Sequence, residues 1–263
     1  MNSLWQDIYL PASQEDHPWE LFHENSKLGR FQKPLTDKQF FSQMATYYDS
    51  LPYEGYPRIK LPQPFFPLPQ SLGETLITRA SVRNFSSAPV SFLHVGTLLQ
   101  YSYGVTRSNE GTPFPRPFRT VPSGGALYPL EIFVHAQNVD GLPPGLYQYN
   151  PSHNHLSCLR KGDQTSQIAQ AVVQPSVIQE SSIHIFLTAI FQRSTFKYGD
   201  RGYRFVFLEA GHVAQNLNLV SSALGLGTLN IGGYFDREID DWLGIDGVEF
   251  ATVYMLAIGM PKE

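Results

Sequence analysis

The chain has 263 residues, 42% hydrophobic and 16% charged, with a formal net charge of -4. That length and apolar content suit one large core and argue against disorder. The mild acidity excludes a global basic field of the kind that draws nucleic acid or anionic membrane. The single cysteine, Cys158, cannot form an internal disulfide, and the chain has no CxxC or HExxH spacing, so neither a disulfide scaffold nor a metal centre is expected. No apolar run approaches the roughly 20 residues that span a bilayer, and the first residues lack the basic and apolar regions of a secretory signal. The expectation is a soluble, cytoplasmic protein.

Along the chain, residues 36–48 predict a short helix capped by Thr36 or Asp37. Prolines at 52, 57, 62, 64, 67 and 69 then exclude a helix or central strand. That stretch predicts an extended arm, and its aromatics Tyr53, Tyr56, Phe65 and Phe66 imply that it packs on the core or on a partner subunit. Residues 1–70 therefore read as an N-terminal extension with a proline-rich arm, and residues 71–263 as the main domain. A helix is expected over 73–79, and another from an N-cap at Ser91 to Tyr103, followed by an irregular loop over 106–126. Residues 130–139 read as a strand, 145–150 and 155–161 as a hairpin around PSHN, and 181–191 as a buried strand. His153 and His155, at that hairpin, read as surface residues. One helix is expected between Asp163 and Pro175, and a long one from Tyr203 to Leu224. A strand TLNI, a helix over 236–243 and a final strand ATVYMLAIG complete the order. Helices and strands mix without a βαβ repeat, which makes the class α+β.

Four segments carry candidate chemistry. FKYGDRGYR sets Lys197 beside Tyr198 amid Arg193, Arg201 and Arg204. Like charges press an ammonium toward neutrality and make a lysine a usable base; a solvated basic turn opening a helix fits the same residues. TRASVR places Arg79, Ser81 and Arg83 at alternate positions, which an extended backbone aims one way. Two forked guanidiniums and a hydroxyl suit a phosphate; a solvated basic edge fits the same residues. PSGGALYP brings Pro122, Ser123, Gly124 and Gly125 into a turn that lets backbone approach something flat. Gly232 and Gly233 form a second such turn after TLNI. On the long helix, Glu209, His212 and Asn216 share one face of an otherwise apolar surface. They need partners, in a second subunit or in a cofactor cavity.

Taken in order, RASVRNF, PSGGALYPLEIFV, GLPPGLYQYNP, FKYGDRGYRFVFLEAGHVAQNLNL, ALGLGTLNIGGYF and AIGMP resemble the SagB-type, McbC-like azoline dehydrogenase branch of the nitroreductase superfamily. FHENSKLG and the proline arm are similar to that branch's N-terminal region. The resemblance implies an α+β fold with a central mixed sheet flanked by helices, an intertwined homodimer, and FMN held between subunits. It implies that Arg79, Ser81 and Arg83 hold the phosphate and ribityl end. Pro122, Ser123, Gly124 and Gly125, from the partner chain, would lie against the isoalloxazine, with Gly232 and Gly233 toward its reactive nitrogen. Lys197 and Tyr198 match the Lys-Tyr pair to which deprotonation is attributed, either one serving as base. The implied reaction oxidises thiazoline or oxazoline in a peptide or carrier-bound substrate to thiazole or oxazole, alone or with a cyclodehydratase complex. Ala80 departs from relatives that often carry arginine there. A generic NAD(P)H-dependent nitro or quinone reductase, and a non-catalytic docking subunit, are the alternatives.

Overall fold

The computed structural model describes residues 17–30, 35–63, 65, 67–111 and 116–262. Pro64 and Phe66 of the predicted arm lie outside the described residues. Two short helices, α1 (Pro18–Asn25) and α2 (Asp37–Met44), precede strand β1 (Arg58–Lys60) and helix α3 (Leu72–Thr78). Strand β2 (Val90–Ser91), helix α4 (Phe92–Tyr103), and strands β3 (Val105–Arg107) and β4 (Phe118–Arg119) follow. A 3-10 turn at Gly124–Ala126 leads into β5 (Leu130–Ala136), β6 (Val139–Asp140), and the hairpin β7 (Gly145–Asn150) and β8 (His155–Lys161). Next come α5 (Thr165–Gln170), α6 (Pro175–Glu180), β9 (Ile183–Ile190) and α7 (Gln192–Tyr198). The chain closes with α8 (Asp200–Ala223), β10 (Gly227–Ile231), α9 (Asp236–Leu243) and β11 (Phe250–Gly259).

Seven strands form the main sheet in the order β1-β8-β7-β5-β9-β11-β10. Every pairing within it is antiparallel. The mixed character expected from the resemblance is confined to the rim, where Ser81 bridges Thr228 in parallel, and to the small β2–β6 pair. β5 is buried at every position because both faces of the sheet are covered. Its alternation sorts the core: Leu130, Ile132 and Val134 point into one cluster with Leu98, Val206, Val213 and Leu217 of α4 and α8. Phe133 points into the other with Ile168, Ile178 and Ile239 of α5, α6 and α9.

Local chemistry explains the helix starts. Thr36 and Ser71 each form a reciprocal capping box, with Gln39 and Glu74, and the Ser91 hydroxyl accepts from the His94 N–H. The proline arm adds β1 to the sheet edge, in register with Ser157, Leu156 and His155. That pairing covers the end of β8 and leaves His155 only 5% exposed. The surface reading of His155 is thus corrected, while His153 is exposed. Three helices escaped the sequence pattern, α1 among them. Pro175 opens α6 rather than marking an end, as a first-turn proline can, and α7 fills the gap between β9 and α8.

Candidate active site

The corner between α7 and α8 places the Lys-Tyr pair. Gly202, at the start of α8, lies so close to α7 that an added Cβ would meet the Ser194 carbonyl at 2.8 Å. A side chain there would push the two helices apart. The inner face of α7 carries Arg193, 2% exposed, whose Nη1 lies 2.8 Å from Glu131 Oε1 on β5. Glu131 also accepts from the Leu51 N–H at 2.9 Å and from Gln148 Nε2 at 2.8 Å. Arg204 donates to Ser26 Oγ at 2.8 Å and to the His23 carbonyl at 2.6 Å. Two of the three arginines expected to crowd Lys197 are therefore engaged elsewhere. Instead, Lys197 Nζ stands 4.4 Å from the centre of the Phe40 ring and 5.2 Å from that of Tyr198.

The Ser123–Gly124–Gly125 turn meets this pair within the same chain. Gly125 has a φ of 65°, and a Cβ on it would lie 2.7 Å from the Tyr198 hydroxyl and 2.8 Å from Lys197 Nζ. Glycine is required twice over, by conformation and by space. Phe205 packs under Gly124 and sets its ring edge-on to Tyr198 at 4.9 Å. Behind the turn, Ser123 Oγ accepts from the Tyr128 N–H at 2.9 Å. Its hydroxyl also bonds Glu209, one helical turn past Phe205. The Tyr103 hydroxyl donates to Glu209 Oε1 at 2.8 Å. Burial pushes the Glu209 carboxyl up to about 7, against the opposing pull of the Ser123 and Tyr103 hydroxyls and of Arg119 and Arg193. The polar stripe of α8 is thereby divided: Glu209 is buried beneath the turn, Asn216 donates to the Tyr101 carbonyl at 3.5 Å, and His212 is exposed.

Arg79, Ser81 and Arg83 lie toward the other end of α8, where Ser81 bridges Thr228. Val82 donates to the Thr228 carbonyl at 3.0 Å and packs inward, while Ser81 and Arg83 on either side are exposed and Arg79 is half-buried. Among the described residues neither guanidinium has a carboxylate partner. Gly232 and Gly233 follow β10 and are exposed, with the Gly233 carbonyl accepting from the Val173 N–H at 2.9 Å. Since Thr228, which Ser81 bridges, comes a few residues after α8 ends, the 24 residues of α8 lie between the Arg79–Arg83 segment and the Lys-Tyr corner. At 1.5 Å per residue that helix is roughly 36 Å long. The structure thus sets the Arg79–Arg83 segment apart from the Lys-Tyr corner, while the Gly232–Gly233 turn lies against the Val173 segment.

A cleft of about 870 Å³ opens at the Lys-Tyr end, lined by Lys197, Tyr198, Arg201, Leu28, Phe40 and Phe41. Its far wall is therefore supplied by Leu28 and by Phe40 and Phe41 of α2, all ahead of the sheet in the chain. Exposed apolar side chains cluster on α3 (Leu72, Leu76, Ile77) and on α8 (Tyr203, Phe207, Leu208). No helix among the described residues is long and apolar enough to cross a membrane.

Residues 76–260 match the Nitroreductase family. The chain belongs to the nitroreductase family of oxidoreductases. It is 38% identical over 66% of its length to the Methanocaldococcus jannaschii protein named "Putative nitroreductase MJ1384", covering 84% of that protein. It is also 31% identical over 49% of its length to the Microcin B17-processing protein McbC of Escherichia coli. This nitroreductase spans about half the length of that relative, 49%. Among solved structures it resembles a nitroreductase-named protein of Anabaena variabilis, with a TM-score of 0.71 and 25% identity over 92% of this chain and 47% of that one. It shares its fold with a Desulfovibrio desulfuricans protein solved in complex with FMN, with a TM-score of 0.52 and 16% identity over 74% of this chain and 88% of that one.

Proposed function

We propose that this nitroreductase works as an FMN-dependent homodimer that oxidises peptide thiazoline or oxazoline rings to thiazole or oxazole. The observation that carries the reading is the length of α8 between the Arg79–Arg83 segment and the Lys-Tyr corner. FMN is shorter than that helix, so one cofactor cannot reach both groups of a single chain. A site completed across a two-fold seam takes Arg79, Ser81, Arg83, Gly232 and Gly233 from one protomer and the Pro122–Gly125 turn with Lys197 and Tyr198 from its partner. The exposed apolar residues of α3 and α8 supply a surface for a second copy to cover. In this reading residues 1–70 are an extension of the flavin-binding domain of 71–263.

The residues present fit the cofactor. Arg79 and Arg83, unpaired with carboxylates among the described residues, flank the outward Ser81 and match a phosphate. Gly125, without room for a side chain, lets backbone lie against a planar ring. FMN, when bound, supplies a two-electron acceptor for hydride. The protein's share is the proton. Aromatising an azoline removes a hydride from Cβ and a proton from Cα, which the neighbouring imine and carbonyl acidify. Lys197 Nζ and the Tyr198 hydroxyl converge beside Gly125 at the cleft, where either accepts that proton and the other steadies it.

The partial likeness to a microcin-processing protein supports a peptide substrate, and association with a cyclodehydratase complex is part of the same reading. The test is direct. The purified protein should be yellow with one FMN per chain, and Lys197→Ala should keep the flavin while azole formation falls by roughly 10²–10⁴-fold. Oxidation at the parental rate in that variant refutes the assignment. The relative named as a nitroreductase supports a second reading, an NAD(P)H-dependent nitro or quinone reductase. Rapid bleaching of the flavin by NADPH, with no peptide present, would favour it.

A further inference from the structure

We propose that Phe40, carried by α2 of the N-terminal extension, is a positioning residue that holds the Lys197 amine at the cleft through the face of its ring. The inference rests on the reading above only in taking Lys197 as a proton acceptor. Its evidence is the amine's surroundings. Nζ lies 4.4 Å from the Phe40 ring centre, well inside the distance at which a ring quadrupole attracts a cation. On another side, the space that a Gly125 Cβ would fill comes within 2.8 Å of the same nitrogen. Among the described residues no carboxylate lies within ion-pair distance of it. The flexible four-carbon stem is therefore confined by a ring and a glycine rather than by a counter-charge.

Phe40 is itself held in place. Its ring stacks on Phe196 at 5.9 Å and meets Phe41 edge-on at 5.3 Å, while Tyr47 stacks on Phe196 at 5.6 Å. Phe196 directly precedes Lys197, so the aromatic group docks α2 onto the last turn of α7 beside the pair. The capping box of Thr36 and Gln39 fixes the start of α2, one turn before Phe40.

A ring face suits this task better than a carboxylate. A carboxylate would bind the lysine as its ammonium and compete for the proton to be moved. The ring has no basic lone pair, so it holds the lysine in place without becoming a rival acceptor for that proton. Once Nζ has taken the Cα proton, the new ammonium would already face the negative side of the ring.

The experiment compares Phe40→Leu and Phe40→Met, which keep apolar bulk, with Phe40→Trp, which keeps a ring face, in the full-length flavin-loaded protein. Two readouts are taken: azoline oxidation, and trace acetylation of Lys197 by acetic anhydride followed by mass spectrometry. The non-aromatic variants should retain FMN content and peptide KM, lose roughly 2- to 30-fold in kcat, and acetylate Lys197 several-fold faster. Phe40→Trp should restore both readouts. Parental kcat and labelling in the non-aromatic variants overturn the proposal, and so does equal impairment in all three. If the parental protein does not oxidise azolines, the functional reading fails while the labelling still decides the role of Phe40.

Discussion

Glu209→Gln isolates one buried titrating carboxyl beneath the Ser123–Gly125 turn. Glu209 is 2% exposed, and burial raises its carboxyl from 4.5 to about 7. Between those two values the unfolded chain has released this proton and the folded chain still holds it, so native stability falls as pH rises. The shift of about 2.5 units corresponds to about 3 kcal/mol, lost progressively from pH 4.5 and gone by pH 8. Glutamine keeps the shape and an acceptor for the Tyr103 hydroxyl but carries no titrating proton. The stability of Glu209→Gln relative to the parent should therefore rise by about 3 kcal/mol between pH 4.5 and 8, whatever its absolute value at either end. Urea unfolding followed by tryptophan fluorescence at a series of pH values gives that difference directly. In thermal melts it corresponds to a relative gain of roughly 6–12 °C. Other titrating groups are common to both chains and cancel. A difference that stays flat, or that shrinks as pH rises, refutes the claim that Glu209 is held protonated by burial.

Gly125→Ala places a methyl group 2.7 Å from the Tyr198 hydroxyl and 2.8 Å from Lys197 Nζ, on a backbone with positive φ. The variant should fold and bind flavin yet lose roughly 10²-fold in azoline turnover through displacement of the pair. Gly124→Ala, which meets only the Phe205 ring at 3.1 Å, should lose less, and steady-state kinetics on both variants checks the order. His135 and His184 share a buried Nδ1–Nδ1 hydrogen bond of 3.0 Å. His135 Nε2 accepts from the Gln164 N–H, so its Nδ1 proton is donated to His184, whose Nε2–H reaches the Ile178 carbonyl. Burial lowers the two rings to about 4 and about 3, so both are neutral in the fold. Their contribution is complete above about 6.5, the ordinary histidine value, and is lost as pH falls toward 3. Urea midpoints should drop through that window, less steeply in His184→Gln.

Strong local signals were read well from sequence. The Ser91 cap and apolar period marked α4 at both ends, and the PSHN turn set the β7–β8 hairpin to the residue. The long helix was found with its start three residues late, because Asp200 and Arg201 are not part of its apolar pattern. The failures share a cause, namely partners distant in sequence. His155 looked exposed at a turn because the arm that covers it lies nearly a hundred residues earlier. The crowding inferred for Lys197 treated neighbours in sequence as neighbours in space, whereas Arg193 turns to Glu131 and Arg204 to the backbone of α1. Glu209 was flagged as a polar residue on a buried helix, yet its partner Tyr103 lies 106 positions away. Phe40 gave no signal beyond an apolar position on a short helix. The motif residues themselves were legible, but the length of α8 between Arg79–Arg83 and the Lys-Tyr pair appeared only in three dimensions.

In the proposed homodimer, α8 makes each chain half-owner of two catalytic mouths. A chain defective at Arg79 and one defective at Lys197 would then complement each other after exchange of protomers. One mouth of the hybrid inherits both lesions, and the other inherits none.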